Sequence, residues 1–192
     1  REIDKLILTH GHYDHVGNAV VLQDHINVKK MLVPFQFGQD EFEQNLLDKA
    51  LENGVEVLFV KAGEHWGVSE YEFLIVHPAK KYEEKNDQSI VLLTRIGGLT
   101  WLFTGDLEQQ GEMDLLDLYP TLSADVLKIG HHGSNTSTTD PFFSQVKPKV
   151  ALIPVGRDNR FGHPHTEVIQ KLEGYGVQIY RTDENGAIVY RF

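Results

Sequence analysis

Thr9 to Asn18, THGHYDHVGN, sets His10, His12, Asp14 and His15 in an HxHxDH spacing directly behind the aliphatic run Leu6-Ile7-Leu8. Each of these four side chains is a ligand type for zinc or manganese, and no thiolate is needed to complete the set. The aliphatic run reads as a strand, and residues in the turn that leaves a strand project in different directions. His10 and His12 can therefore face one ion while Asp14 and His15 face a second about 3.5 to 4 Å away. The alternative is a surface loop with four polar residues, and partner ligands further along the chain decide between the two.

Composition narrows the setting. A chain of 192 residues with 41% hydrophobic content buries a real core and fits one domain. No apolar run approaches the roughly 20 residues that cross a bilayer. The opening REIDK has neither an initiating Met nor a signal-peptide pattern, so we expect a fragment of a longer protein. A net charge of -10 argues against nonspecific nucleic-acid binding through a broad basic face. It leaves a phosphate-rich substrate open, because bound divalent cations add local positive charge that this sum omits. Without Cys there are no disulfides and no thiol nucleophile, and the compartment stays undecided.

Strand and helix patterns alternate along the chain. We expect a helix over Ala19 to Lys30, a strand over Met31 to Phe35, and a helix opened by the Asp40/Glu43 capping box and stopped by Gly54. Strands over Val55 to Lys61 and Tyr71 to Val76 are separated by the turn-like AGEHWG, and Ser89 to Arg95 with Leu99 to Phe103 form a hairpin around Gly97-Gly98. Leu107 to Tyr119 reads as a helix interrupted by Gly111. Strand Asp125 to Ile129, a helix around Phe142 to Val146 and strand Val150 to Val155 come next. Helix Glu167 to Glu173 and strands Val177 to Arg181 and Ala187 to Tyr190 complete the chain. Such alternation predicts sheets covered by helices on their outer faces, with polar residues gathered at strand ends.

Partners for the opening cluster do appear at such ends. Asp106 closes LTWLFTGD and can offer an oxygen to each of two ions; capping the following helix is its other reading. His131-His132 leave a buried strand, where one suits a ligand and the other a phosphate contact or proton donor to a leaving group. Ser134 and Asn135 are candidate hydrogen-bond donors to phosphate oxygens. In GRDNRFGHPH, His163 and His165 precede a helix whose free N–H groups favour an anion, with Arg157 and Arg160 close by. His25 and His65 read as structural, and His77 is ambiguous. No GxSxG, P-loop or GxGxxG stretch occurs, which leaves water as the nucleophile.

These motifs resemble the metallo-β-lactamase superfamily, and more narrowly the C-terminal domain of ComEC-type DNA-internalisation competence proteins. NDQSIVLL from Asn86, WLFTGDLE from Trp101, DVLKIGHHGSNTS from Asp125 and FGHPH from Phe161 carry the resemblance in the family's order over nearly the whole chain. It implies an α/β fold, an αββα sandwich, that lacks its first strands here because the family's domain begins further upstream. It also implies two divalent ions, manganese or zinc, on His10, His12, Asp14, His15 and Asp106, completed from the His131-His132 pair. Asn86-Asp87 stand where many members have another ligand His, and only Asp87 offers a strong ligand there. His12 departs from competence-type members, which often carry an acidic residue at that position.

The function implied is a metal-dependent nuclease with Asp14, His131 and His163 in catalytic roles. Its expected substrate is single-stranded DNA during uptake for natural transformation. Arg157, Arg160, Lys128 and the HHGSN loop are the candidates for holding the DNA backbone. The expected partner is the membrane channel domain of the same parent protein, and the expected location is the extracytoplasmic face. The alternatives are a small-molecule phosphodiesterase of the phosphorylcholine esterase type and a noncatalytic metal-binding domain docked on the channel.

Overall fold

The computed structural model describes residues 1–192 as two sheets packed face to face with helices outside each. The smaller sheet holds β1 (Glu2–Ile7), β2 (Asn27–Pro34) and β3 (Glu56–Val60), all parallel and in the order β1-β2-β3. Helices α2 (Ala19–His25) and α3 (Glu41–Glu52) cover its outer face, burying Met31, Val33, Leu46 and Ala50. The larger sheet has seven strands, β4 (His65–Val68), β5 (Tyr71–His77), β6 (Val91–Ile96), β7 (Leu99–Phe103), β8 (Val126–Lys128), β9 (Val150–Ile153) and β10 (Gln178–Arg181). They lie in the order β10-β9-β8-β7-β6-β5-β4. Strands β7 to β10 run parallel and β4 to β7 antiparallel. Its outer face packs Leu115, Phe142 and Leu172 from α4 (Gln109–Leu118), α5 (Asp140–Val146) and α6 (Thr166–Gly174). Between the sheets, Leu32 and Val60 meet Ile75 and Ile90. The expected αββα layering is what forms.

Local departures have physical causes. The helix expected over Ala19 to Lys30 ends at His25, and β2 begins at Asn27. Lys29 and Lys30 belong to the strand because they pair across it, with Glu2 and Asp4 on one side and Glu56 on the other, at 2.7 to 2.8 Å. The AGEHWG stretch runs into β4, whose Trp66 stacks on Phe73 of β5 at 5.4 Å. Helix α4 runs through Gly111 without interruption, the Gly111 N–H donating to Asp87 Oδ1 at 3.0 Å. Residues 187–190 form no strand; Tyr190 instead packs edge-on against Trp101 at 4.7 Å, behind a last helical turn, α7 (Thr182–Asn185). His77 is buried and structural, donating from Nδ1 to the Ser89 carbonyl at 2.9 Å. No helix is long and apolar enough to cross a membrane.

Strands β7, β8 and β9 are parallel neighbours, so their carboxyl ends open on one edge. The turn after β1 joins that edge, where the Ile90 N–H donates to the Thr9 carbonyl at 2.8 Å. The polar, strand-terminal residues of the sequence meet there.

Candidate metal centre

The opening turn is held from behind. A Cβ on Gly11 would lie 1.7 Å from Glu43 Oε1, so only glycine lets this turn rest against α3. Glu43 is fully buried, and its carboxylate takes the N–H groups of Gly38 and Gln39 at 2.8 Å and the Lys85 ammonium at 2.7 Å. A charge so thoroughly bonded fixes the turn firmly. The turn then enters α1 (Tyr13–Val16), which carries Asp14 and His15.

Asp106 sits at the centre of the donor cluster. Gly105 before it has φ 57°, which turns the chain out of β7 so that the buried Asp106 faces the turn. Asp106 Oδ2 lies 3.0 Å from His15 Nε2 and 3.3 Å from His132 Nε2, with those two nitrogens 3.2 Å apart. Asp14 Oδ2 stands 3.8 Å from His15 Nε2 and 3.5 Å from His132 Nε2. Ligand atoms of all four residues fall within 4.8 Å of one another. Tetrahedral bonds of about 2.0 to 2.1 Å place two imidazole nitrogens roughly 3.3 Å apart, so the spacing fits shared ligation of one ion. His132 Nδ1 lies 2.8 Å from the Pro154 carbonyl, which can only accept; the proton is therefore on Nδ1 and the Nε2 lone pair faces the cluster.

His10 and His12 form a second pair. His10 Nε2 lies 3.2 Å from His12 Nδ1, the same ligand-edge spacing, while His10 Nδ1 is near the hydroxyls of Thr9 at 3.1 Å and Ser89 at 3.3 Å. Burial, helped by the charge of His15, pushes the His10 pKa down to about 2, so the ring is neutral as a ligand must be. No third His, Asp or Glu joins this pair.

Electrostatics around Asp106 are finely opposed. Burial works against its ionisation, but the hydrogen-bonding imidazoles of His132 and His15 and the ammonium of Lys128 outweigh this and hold the carboxyl well below the usual range. Lys128 Nζ donates to the Gly105 carbonyl and lies 3.4 Å from Asp106 Oδ1. That corrects the expectation that Lys128 reaches for a substrate backbone. Burial lowers its pKa, with Asp106 opposing.

The two adjacent histidines take different jobs. His131 and His132 both have left-handed backbones, φ 45° and 54°, a strained pair of the kind concentrated at functional sites. His132 enters the cluster, whereas His131 Nδ1 bonds Glu108 Oε1 at 2.9 Å. The same oxygen accepts from Asn86 Nδ2 at 3.1 Å and Thr136 Oγ1 at 2.7 Å. His163 stands with its ring centroid 5.3 Å from that of His131, bracketed at its backbone by the Asn159 amide.

Other expected site residues lie elsewhere. Asp87 is not in the cluster: its Oδ1 accepts from the Glu108 and Gly111 N–H groups at 3.0 Å and so caps α4 from outside the helix. Ser134 is buried, with Oγ against Thr136 Oγ1 at 2.9 Å, and supports its own loop. His165 Nδ1 accepts the Asn135 N–H at 3.0 Å, tying the two loops together rather than waiting for an anion. Arg157 donates to the Asp183 carbonyl at 3.2 and 3.3 Å, and Arg160 lies over the exposed Phe161 ring at 5.0 Å. The Asn135 side chain is free. Sequence reasoning misses Glu108 and Ser89; the one legible sign of Glu108 is a carboxylate two places after Asp106.

The fold and this geometry agree with the comparisons. The family model described as the metallo-beta-lactamase superfamily matches residues 1–157. The chain belongs to the metallo-beta-lactamase superfamily. This superfamily member is 40% identical to ComE operon protein 3 of Bacillus subtilis (strain 168), aligned over 100% of the chain and 25% of the relative. It is 32% identical to Competence protein ComA of Neisseria gonorrhoeae, over 99% of the chain and 25% of the relative. Recombination protein 2 of Haemophilus influenzae is 32% identical over 99% of the chain and 22% of its own length. The chain thus spans about a quarter of the length of the curated relatives it matches. Among solved structures, the metallo-beta-lactamase fold protein YhfI from Bacillus subtilis superposes with a TM-score of 0.58 at 12% identity, covering 93% of the chain and 74% of its own. CmlA, a diiron beta-hydroxylase from Streptomyces venezuelae, gives 0.58 at 14% identity, over 94% and 44%. Superfamily members are generally hydrolases that hold divalent metals, and the donor set around Asp106 is of that kind.

Proposed function

We propose that the chain is a metal-dependent phosphodiesterase domain, a nuclease acting on single-stranded DNA within a longer membrane-associated competence protein. The observation that carries the reading is the convergence of Asp14, His15, Asp106 and His132 at a strand edge with His131 beside them. The choice of DNA as substrate is our reading, supported by relatives named as a competence protein and a recombination protein. His10 and His12 would hold one ion, and Asp14, His15, Asp106 and His132 would hold the other. Manganese and zinc both suit mixed nitrogen and oxygen donors.

Divalent ions, when bound, supply the charge that acidifies an attacking water and stabilises the developing anion at phosphorus. The protein's own residues complete the reaction. Lys128 holds Asp106 Oδ1, so Oδ2 stays turned to His15 and His132. Glu108 fixes His131 through Nδ1, leaving Nε2 to protonate the leaving oxygen as its bond to phosphorus breaks. His163, Arg160 and the Asn135 amide line the approach of the substrate. The domain works on the extracytoplasmic face, beside the membrane channel domain of the same protein.

Incubation of the chain with manganese or zinc and a labelled single strand tests this. Cleavage that disappears in Asp14→Ala combined with Asp106→Ala is the expected result; no cleavage under either metal, or cleavage that survives the double substitution, overturns it. The small-molecule phosphodiesterase reading draws on the engagement of Arg157 and Lys128 within the protein, which leaves few cations for a polymer. Turnover of choline phosphodiesters above that of DNA would favour it.

A further inference from the structure

A groove of about 510 Å³ opens beside the His131 network, lined by Asp87, Glu108, Gln109, Gln110, Met113 and Asn135, with Thr136 at its edge. It shares Glu108 and Thr136 with the bonds that hold His131. Its chemistry differs from that of the metal centre. No Lys or Arg lines it, and two carboxylates do, so a phosphate is disfavoured there. Gln109 and Asn135 have side-chain amides with no partner in the protein, and the second oxygens of Asp87 and Glu108 are likewise unpaired. Met113, 51% exposed, gives the groove an apolar wall. The volume lies within the roughly 300 to 1,000 Å³ usual for small-molecule sites.

Neutral amides, unpaired carboxylate oxygens and a thioether wall suit a flat heterocycle that carries an exocyclic amine. Amides pair with the Hoogsteen edge of adenine, carboxylates accept from the amine of cytosine, and methionine covers a ring face. We propose that this groove is a nucleobase subsite, taking an amine-bearing base (adenine, cytosine or guanine) next to the phosphate being cut and rejecting thymine. The proposal rests on the nuclease reading and adds base preference to it. Thymine has no amine to offer and sets a carbonyl oxygen against the carboxylates.

The test compares cleavage of single strands that differ only in the base beside one labelled phosphodiester. It uses the metal-loaded chain and the Gln109→Ala/Met113→Ala double variant, with bis(p-nitrophenyl) phosphate, which has no base, as the control. Wild type is expected to favour adenine, cytosine or guanine over thymine by about tenfold in kcat/KM. The variant, altered only at two groove residues outside the donor cluster, should lose that preference while hydrolysing bis(p-nitrophenyl) phosphate at the wild-type rate. Titration with AMP and TMP, read by chemical-shift changes of the Met113 methyl, checks the contact without turnover. DNA cleavage with no base preference, or a preference unchanged in the variant, overturns the subsite alone. Hydrolysis of bis(p-nitrophenyl) phosphate with no cleavage of any DNA overturns the nuclease reading and the subsite with it.

Discussion

The two halves of the metal centre are built from one ten-residue turn and differ in what the rest of the chain brings to them. The Asp14-His15 half receives Asp106 and His132 from the ends of two further strands, giving a four-residue donor set. The His10-His12 half has its paired nitrogens at the same 3.2 Å spacing but gains no other His, Asp or Glu. Asn86, beside the expected ligand Asp87, donates to Glu108, and its Oδ1 is buried without a partner. Ligand spacing is therefore a local property of the turn, whereas ligand number depends on distant loops. On the proposed ligand sets, the Asp14-His15 half should bind an ion tightly and the His10-His12 half should release one readily.

The strongest way to break that contrast is at Asp106, the centre of the four-residue set. Asp106→Ala should lower phosphodiester turnover by about a thousandfold and abolish tight metal binding, because the several kcal/mol of charge stabilisation act through this site. His12→Ala should cost about a hundredfold in turnover yet spare the tight ion, with partial recovery in excess metal. Equal loss of both ions in the His12 variant would erase the distinction between the halves.

A control outside both halves separates fold from site. His77 is buried with its pKa pushed down to about 4, chiefly by burial. Folded His77 thus binds fewer protons than the unfolded chain, whose His titrates near 6.5. Its contribution is complete above that value and shrinks as pH falls toward 4. Urea unfolding in a chelator should show about 2 kcal/mol of this loss between pH 7 and 5, and His77→Gln, which keeps a donor for Ser89, should flatten the slope by that amount. The smallest effect concerns Ser89, whose hydroxyl accepts from the Asp106 N–H at 3.0 Å and lies 3.3 Å from His10 Nδ1. Ser89→Ala should weaken metal affinity about tenfold by titration, touching both halves because the hydroxyl supports both.

Much of this is legible in the chain because it is local or periodic. The HxHxDH spacing, the Asp40/Glu43 helix start and the Gly97-Gly98 hairpin all stand where the pattern puts them, Glu43 N–H donating to Asp40 Oδ1 at 2.9 Å. Lys29 and Lys30 mislead because a lysine at a helix end and one on a strand edge have the same letter, and only the acidic residues of neighbouring strands tell them apart. Asp87 misleads for a similar reason: a carboxylate beside a metal turn is equally good as a remote helix cap, and the choice depends on α4, more than twenty residues away. His131 and His132 cannot be assigned from spacing, since their left-handed backbones send adjacent rings to different partners. Arg157 reads as a phosphate holder from proximity in sequence, but the carbonyl of Asp183 takes it.

Metal content after dialysis reads the two halves side by side. The chain, saturated with manganese or zinc and dialysed against metal-free buffer, should keep one ion per chain and give up the other. The retained ion should persist in His12→Ala and be absent in Asp106→Ala. Two ions held with equal tenacity, or none held at all, would contradict the contrast between the halves.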